Sequence, residues 1–183
     1  MLDFNTAEKQ TGGSTELMPD NTIAPVRLSM RGEKTTNAGD ARMLDCEFVI
    51  TAGEFARRRF WGLMMVTSNG SAGHDKAVEI TMSKVRAMLE SAYGVSPSDE
   101  SESAFEARKL ADWQDLDGLE FVAKIGIEKG TQGYSDKNVL KSAVTPDSPD
   151  YKGFTPAKVK ATPAPAQTAA APAQSNGARP AWA

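Results

Sequence analysis

The sequence predicts a mainly β domain in which one long helix lies between the third and fourth of five strands. Two observations support this. Apolar and polar residues alternate in five short segments of the 183-residue chain, which is the pattern of half-buried strands. Between the third and fourth segments, the spacing of apolar residues changes from two to about 3.6, which indicates a helix.

The first three predicted strands follow one another closely. Alternation over 26–31 marks the first strand, and the same pattern over 44–51 marks the second. A short turn at 52–54 leads into the third strand over 57–67, so the second and third strands are predicted to form an antiparallel hairpin. Adjacent residues of a strand point to opposite faces. Phe60 therefore suits the core, and Trp61 lies on the other face or under a loop.

The predicted helix spans about 74–93. Ser71 or Gly73 caps its start, and Gly94 suits its C-terminal end. Its apolar residues recur every three or four positions and form one stripe: Val78, Met82, Val85, Leu89 and Ala92. A second small helix is predicted near 103–112, because Ser103 and Glu106 have capping-box spacing.

The last two predicted strands cover 120–128 and 138–145. Three strands, a helix and two strands is the element order of the OB-fold, a five-stranded, partly open Greek-key barrel. A β-sandwich would show about seven strands and no central helix. We therefore expect a flexible N-terminal arm over 1–20, an OB-type barrel over 21–155 and a disordered Ala/Pro-rich tail over 156–183.

Composition and charge limit the ligands, the compartment and the activities that we expect for this protein. The net charge is −3 and all 24 acidic residues precede position 151, so any nucleic-acid surface must be a local basic patch on an acidic body. The single cysteine, Cys46, suits a reducing compartment and a place in the core. No membrane span, secretory signal, catalytic fingerprint or metal-ligand motif is visible. We expect a cytoplasmic protein without a cofactor, a metal or catalytic activity.

Basic and aromatic residues are concentrated where OB-folds bind ligands, on strands two and three and in the loops joining strands one to two and four to five. Cations suit phosphates, and flat side chains suit the bases of single strands. The arginine run 57–59 also suits a merely solvated strand start. The candidate nucleic-acid-binding residues are Arg27, Arg31, Lys34, Arg57, Arg58, Arg59, Trp61, Lys124, Lys129, Tyr134, Lys137 and Lys141.

Two stretches of the chain resemble a known family. One runs from Leu44-Asp45-Cys46-Glu47-Phe48 to Arg57-Arg58-Arg59-Phe60-Trp61. The other runs from Asp117-Gly118 to Glu128, and then to Gly133-Tyr134 and Lys137-Asn138. Together they resemble a bacteriophage family of formerly unknown function that is similar to phage single-stranded DNA-binding proteins. The resemblance implies a phage-encoded protein of the host cytoplasm that coats single-stranded DNA during replication or recombination, without strong sequence preference.

Two other functions remain open. The protein could be a non-catalytic adaptor that recruits replication or recombination proteins through its tail, with Trp182 as the partner-binding residue. It could also be a nuclease that holds magnesium with carboxylates such as those of Asp45, Glu47, Asp115 and Asp117. The sequence leaves a homo-oligomeric state open.

Overall fold

The computed structural model describes residues 16–131 and 133–157, and it confirms a mainly β fold with a helix after the third strand. The strands are β1 (Thr22–Thr35), β2 (Arg42–Ile50), β3 (Arg59–Met65), β4 (Glu120–Glu128) and β5 (Lys137–Ala143). The helices are α1 (Ala72–Tyr93) and α2 (Glu102–Ala107), followed by a 3₁₀ turn over Trp113–Leu116. Neither α1 nor α2 has the length and apolarity of a membrane-spanning helix.

The five strands form one antiparallel sheet in the order β3-β2-β1-β4-β5. β1 is central because its first half pairs with β4 while its longer course pairs with β2. A β-bulge interrupts the β1–β2 register between Met30 and Gly32. β3 and β5 run parallel and lie side by side, but they are the two edges of the sheet. The hydrogen-bonded ladder of the described strands therefore does not close on itself.

Aromatic rings from three strands form the centre of the core. Phe48 stacks on Phe60 with ring centroids 5.0 Å apart, and it meets the ring of Phe121 edge-on at 6.4 Å. The inward position predicted for Phe60 is confirmed, and so is that of Cys46, which is fully buried. Burial raises the pKa of the Cys46 thiol to about 12, so this cysteine is a core residue that stays protonated.

Helix α1 begins and ends as the sequence predicts. The Ser71 side chain accepts a hydrogen bond from the backbone N–H of His74, and Gly94 ends the helix at a φ of 68°. The predicted apolar stripe is partly wrong, because Met82 is exposed and Val78 is only half-buried. The buried stripe is rotated by about one position toward Thr81, Val85, Met88, Leu89 and Ala92. Tertiary packing against β3, β4 and β5 sets this face, which the periodicity alone leaves uncertain.

Helix α2 is shorter than predicted. It ends at Ala107, and Ser101 caps its start where the sequence suggested Ser103. The Arg108 side chain donates to the main-chain carbonyls of Ser96 and Asp99. These long-range hydrogen bonds favour a turn at Arg108 over continuation of the helix.

The segment before β1 belongs to the folded domain, contrary to the predicted arm over 1–20. Met18 is almost fully buried in the core. Its N–H donates to Asn138 Oδ1 at 2.9 Å, and Asn138 Nδ2 donates to the Met18 carbonyl at 3.0 Å. A buried methionine and a buried amide therefore tie 16–20 to β5, so these five residues are part of the folded domain. Residues 1–15 lie outside the described residues.

The segment after β5 packs on the C-terminal end of α1. The Tyr151 hydroxyl donates to the Ser91 carbonyl at 2.6 Å, and the Ala157 N–H donates to the Ala92 carbonyl at 2.8 Å. Burial raises the pKa of Tyr151, which keeps this hydroxyl a donor. The predicted tail over 156–183 lies outside the described residues from position 158 onward, and Trp182 with it.

Candidate nucleic-acid interface

The outward side of β1, β2 and β3 combines exposed apolar side chains with cations, and we call it the β2–β3 face. Register pairs Trp61 with Glu47 and Leu63 with Asp45, and all four side chains point away from the core. Trp61 and Leu63 are about half exposed, at 49% and 54%. The outward position of Trp61 is therefore confirmed. The further members of the face are Arg31, Lys34, Met43, Val49, Arg59 and Met65.

Glu47 connects two arginines and the tryptophan of this face. The indole Nε1–H of Trp61 donates to Glu47 Oε2 at 3.1 Å. Arg59 Nη1 lies 3.1 Å from Glu47 Oε1, and Arg31 Nη1 lies 4.0 Å from Oε2. Arg31 reaches this carboxylate from the β-bulge, which re-aims its side chain. One carboxylate thereby orients the indole by a hydrogen bond and lies within ion-pair distance of two guanidinium groups.

Asp45, two residues before Glu47 on β2, also pairs with a cation of the face. Lys34 Nζ lies 2.7 Å from Asp45 Oδ2. The side chains of Asp45 and Glu47 are only 15% and 16% exposed, whereas those of Lys34, Arg31 and Arg59 are more than half exposed. The cations therefore extend over the acids and offer their free N–H groups to solvent.

A groove of about 260 Å³ separates β3 from β5 beside Trp61. Its floor is apolar and includes Phe48 and Leu140, while Lys84, Lys137 and Glu128 stand at its rim. The Ile50 N–H donates to the Arg58 carbonyl, so the alternation of an antiparallel pair points the main-chain groups of Trp61 and Leu63 away from β2. Both a side-chain surface and an unpaired strand edge therefore face this groove.

The loop between β4 and β5 is closed by an ion pair. Lys129 Nζ lies 2.6 Å from Asp136 Oδ2, and the Gly130 N–H donates to Asp136 Oδ1 at 3.0 Å. The Lys129 hydrogen bond, followed by the Gly130 hydrogen bond, lowers the pKa of Asp136. Tyr134 is highly exposed in this loop. Because β3 and β5 run parallel, the loop lies at the same end of the sheet as the β2–β3 hairpin.

Several predicted residues lie apart from the β2–β3 face. Arg58 donates to the Glu16 carbonyl and covers the ring of Phe55, so the arginine run does not form one continuous basic track. Adjacent strand residues point to opposite faces, which separates Arg58 from Arg59. Arg57 occupies the hairpin turn at a φ of 71°.

The remaining predicted cations lie toward β4 and β5. Lys124 is on β4, which β1 and β2 separate from β3. Lys141 forms an ion pair with Asp20, and Lys137 forms one with Glu128 at 3.3 Å. Arg27 pairs with Glu120 at the border between β1 and β4, and it lies in the same cross-strand row as Arg59, with Val49 of β2 between them. Of these, Lys137 lines the groove, whereas Lys124 and Lys141 do not.

The sequence alone did not indicate that Asp45 and Glu47 hold cations on the face, or that Leu63 is exposed near Trp61. Asp45 and Glu47 were considered only as magnesium ligands. Their alternation with the core residues Leu44, Cys46 and Phe48 already placed them on the outward side of β2. The signal for their ionic role is the cross-strand register, which pairs Glu47 with Trp61 and Asp45 with Leu63.

The four carboxylates of the nuclease hypothesis have different roles. Asp115 accepts from the Ala111 and Asp112 N–H groups, and Asp117 accepts from the Met30 N–H at 2.8 Å. Asp45 and Glu47 instead neutralise cations on the β2–β3 face. Among residues 16–131 and 133–157, no three His, Cys, Asp or Glu side chains are grouped closely enough to hold a metal ion.

Comparison with known proteins adds no relative. No protein-family model matches the chain, and no curated protein matches it in sequence.

Proposed function

We propose that this protein binds single-stranded DNA on its β2–β3 face, without strong sequence preference and without catalysis. We propose further that the sheet acts as an OB-type barrel in which the groove between β3 and β5 is the open seam. In the light of the family resemblance, the task would be to coat single strands during phage replication or recombination in the host cytoplasm.

One observation supports the DNA proposal above all. The half-exposed Trp61 shares the β2–β3 face with three exposed cations, Arg31, Lys34 and Arg59, on a chain whose net charge is −3. An unstacked base can cover the indole and Leu63, while the guanidinium groups contact the phosphates on either side. Every base has a π-face, so this mode of binding discriminates little between sequences.

The same geometry favours single strands over duplex. A duplex keeps its bases stacked inside, where an indole on a sheet surface does not reach them. The three cations alone offer few phosphate contacts, and the net charge of −3 opposes binding to a polyanion in general. Base stacking must therefore supply a substantial share of the affinity.

The groove supports the proposed barrel. β3 and β5 are parallel neighbours, their main-chain edges are unpaired, and apolar core residues form the floor between them. The loops 36–41 and 129–136 lie at opposite ends of this seam, where OB-folds use loops to contact a ligand.

The proposal is tested by titrating labelled oligo-dT, oligo-rU and duplex DNA into the full chain at two salt concentrations. We expect binding to oligo-dT that weakens as salt rises, because counterions are released from the phosphates. Trp61→Ala should cost about 1–3 kcal/mol per stacked base. Phe105→Ala is the matched control, because Phe105 is an exposed aromatic of similar accessibility, 52% against 49%.

Each result has a defined meaning. Undetectable binding to oligo-dT, or equal losses in Trp61→Ala and Phe105→Ala, would contradict the proposal. Tighter binding to oligo-rU than to oligo-dT would reassign the ligand to RNA. A protein partner that is lost when 158–183 is deleted, without DNA binding by the full chain, would favour the adaptor function.

A further inference from the structure

We infer that Glu47 limits the DNA affinity of the β2–β3 face, because it occupies the cations that phosphates would bind. This inference rests on the proposed function and names a residue that regulates the strength of that same site. Glu47 would act as a positioning residue for Trp61 and as an internal competitor for Arg31 and Arg59.

The competition follows from distance and exposure. Glu47 is the shared partner of both arginines, at 3.1 Å from Arg59 and 4.0 Å from Arg31. Its side chain is 16% exposed, whereas those of Arg31 and Arg59 are 52% and 59% exposed. A carboxylate that is largely removed from water is screened less than a surface charge. It therefore reduces the positive potential at the two guanidinium groups that a phosphate approaches.

Glu47 also positions Trp61, through a hydrogen bond to the indole. Trp61 Nε1–H donates to Glu47 Oε2, which fixes the indole on the sheet surface. An amide oxygen can accept the same hydrogen bond without a negative charge. Glu47→Gln therefore separates the two roles, since it retains an acceptor for Trp61 and removes the charge that attracts the arginines.

We expect Glu47→Gln to bind oligo-dT about three- to tenfold more tightly than wild type, as removal of a like charge beside an interface does. Its affinity should also fall more steeply with salt, by about 0.7 in the logarithmic slope for each additional phosphate neutralised on a single strand. Glu47→Ala should gain less, because it loses the acceptor for the Trp61 indole.

The matched control is Glu79→Gln, which changes the net charge equally. Glu79 pairs with Lys76 on the exposed surface of α1, away from the β2–β3 face. Asp45→Asn is a second test, and it should give a smaller gain because Asp45 pairs with one cation, Lys34, among the described residues. Thermal unfolding of each variant shows whether the fold is kept.

The outcomes separate this inference from the proposed function. If wild type binds and Glu47→Gln exceeds Glu79→Gln in both affinity and salt slope, the inference holds. If wild type binds and Glu47→Gln is no tighter than Glu79→Gln, the inference is overturned while the proposed function stands. If wild type, Glu47→Gln and Asp45→Asn all fail to bind, the proposed function fails as well.

Discussion

Two clusters in this molecule have the same composition, one glutamate between two arginines, but opposite environments. Glu47 lies with Arg31 and Arg59 on the face of the sheet. Glu90 lies on α1, where its Oε1 is 2.8 Å from both Arg86 and Arg108. The Glu90 side chain is 3% exposed and that of Arg108 is 13% exposed, whereas both arginines of the Glu47 cluster are more than half exposed.

The difference lies in what the arginines can still bind. Arg108 also donates to the carbonyls of Ser96 and Asp99. These hydrogen bonds tie the segment before α2 to α1. The Glu90 cluster therefore stabilises the fold, and Arg108 is largely withdrawn from solvent. Arg31 and Arg59 keep N–H groups in solvent, where the phosphates of the proposed ligand would reach them. The clusters differ in the burial of Glu90 and Arg108, and not in the identity of the residues, since Arg86 is as exposed as Arg59.

The largest expected effect is on stability. Glu90→Ala leaves the buried guanidinium of Arg108 without its carboxylate and should lower the free energy of unfolding by about 3 kcal/mol. Glu47→Ala should lower it by about 1 kcal/mol or less, because its arginines are solvated. Urea unfolding of the two variants measures the difference. Equal losses would show that the two clusters are not distinct.

The second effect is on binding, and the chain offers a matched pair. The side chains of Arg59 and Arg86 are similarly exposed, at 59% and 57%, and each pairs with one glutamate. Arg59→Ala should weaken oligo-dT binding about tenfold and reduce the salt slope by about 0.7, the value for one phosphate contact. Arg86→Ala should leave both unchanged. A loss of affinity in Arg86→Ala as large as that in Arg59→Ala would show that the two arginines do not differ in DNA binding.

The smallest effect concerns a third acid, Asp20, which joins the segment before β1 to the sheet. A hydrogen bond from the Ile127 N–H, and then one from Lys141, lowers the pKa of Asp20 from its usual 3.8. A carboxyl whose pKa is lower in the folded state stabilises the protein above its usual pKa. That stability is lost as the pH falls through the lowered value.

Asp20→Asn should therefore reduce the acid sensitivity of unfolding between about pH 5 and pH 2. Thermal unfolding across this range measures the effect, and Asp150→Asn serves as the control at an exposed carboxylate. If the pH dependence of Asp20→Asn equals that of wild type, Asp20 does not contribute to the acid response.

The strands were predictable because their alternation is a local pattern. Phe60 and Trp61 illustrate this, since two adjacent residues of a strand must point to opposite sides, and only one could enter the core. The caps of α1 were predictable for the same reason, because Ser71 and Gly94 act on neighbouring backbone groups.

Features that depend on distant contacts were not predictable in this way. The burial of Met18 depends on Asn138, 120 positions away. The early end of α2 depends on the contacts of Arg108 with the segment before it. The face of α1 that is buried depends on three strands, and so the stripe was assigned one position off at Met82. Local periodicity contains none of these pairings.

The candidate site was only partly predictable from local patterns. Residue type and strand alternation identify Arg31, Arg59 and Trp61, whereas Lys34 was predicted as a loop residue and lies in the longer β1. The grouping of Arg58 with Arg59 ignored that alternation, and Lys124 was included without knowledge of the sheet order. The ionic role of Glu47 required the register of β2 against β3, which places it opposite Trp61.

The most direct test of DNA binding on the β2–β3 face is an NMR titration of the full chain with oligo-dT, observed at the tryptophan indole and arginine Nε–H signals. Binding on this face should produce large shifts for the Trp61 indole and for the Arg31 and Arg59 Nε–H groups, with those of Trp113, Arg86 and Arg108 unchanged. Shifts confined to Trp113, Arg86 and Arg108, or no shifts at all, would contradict it.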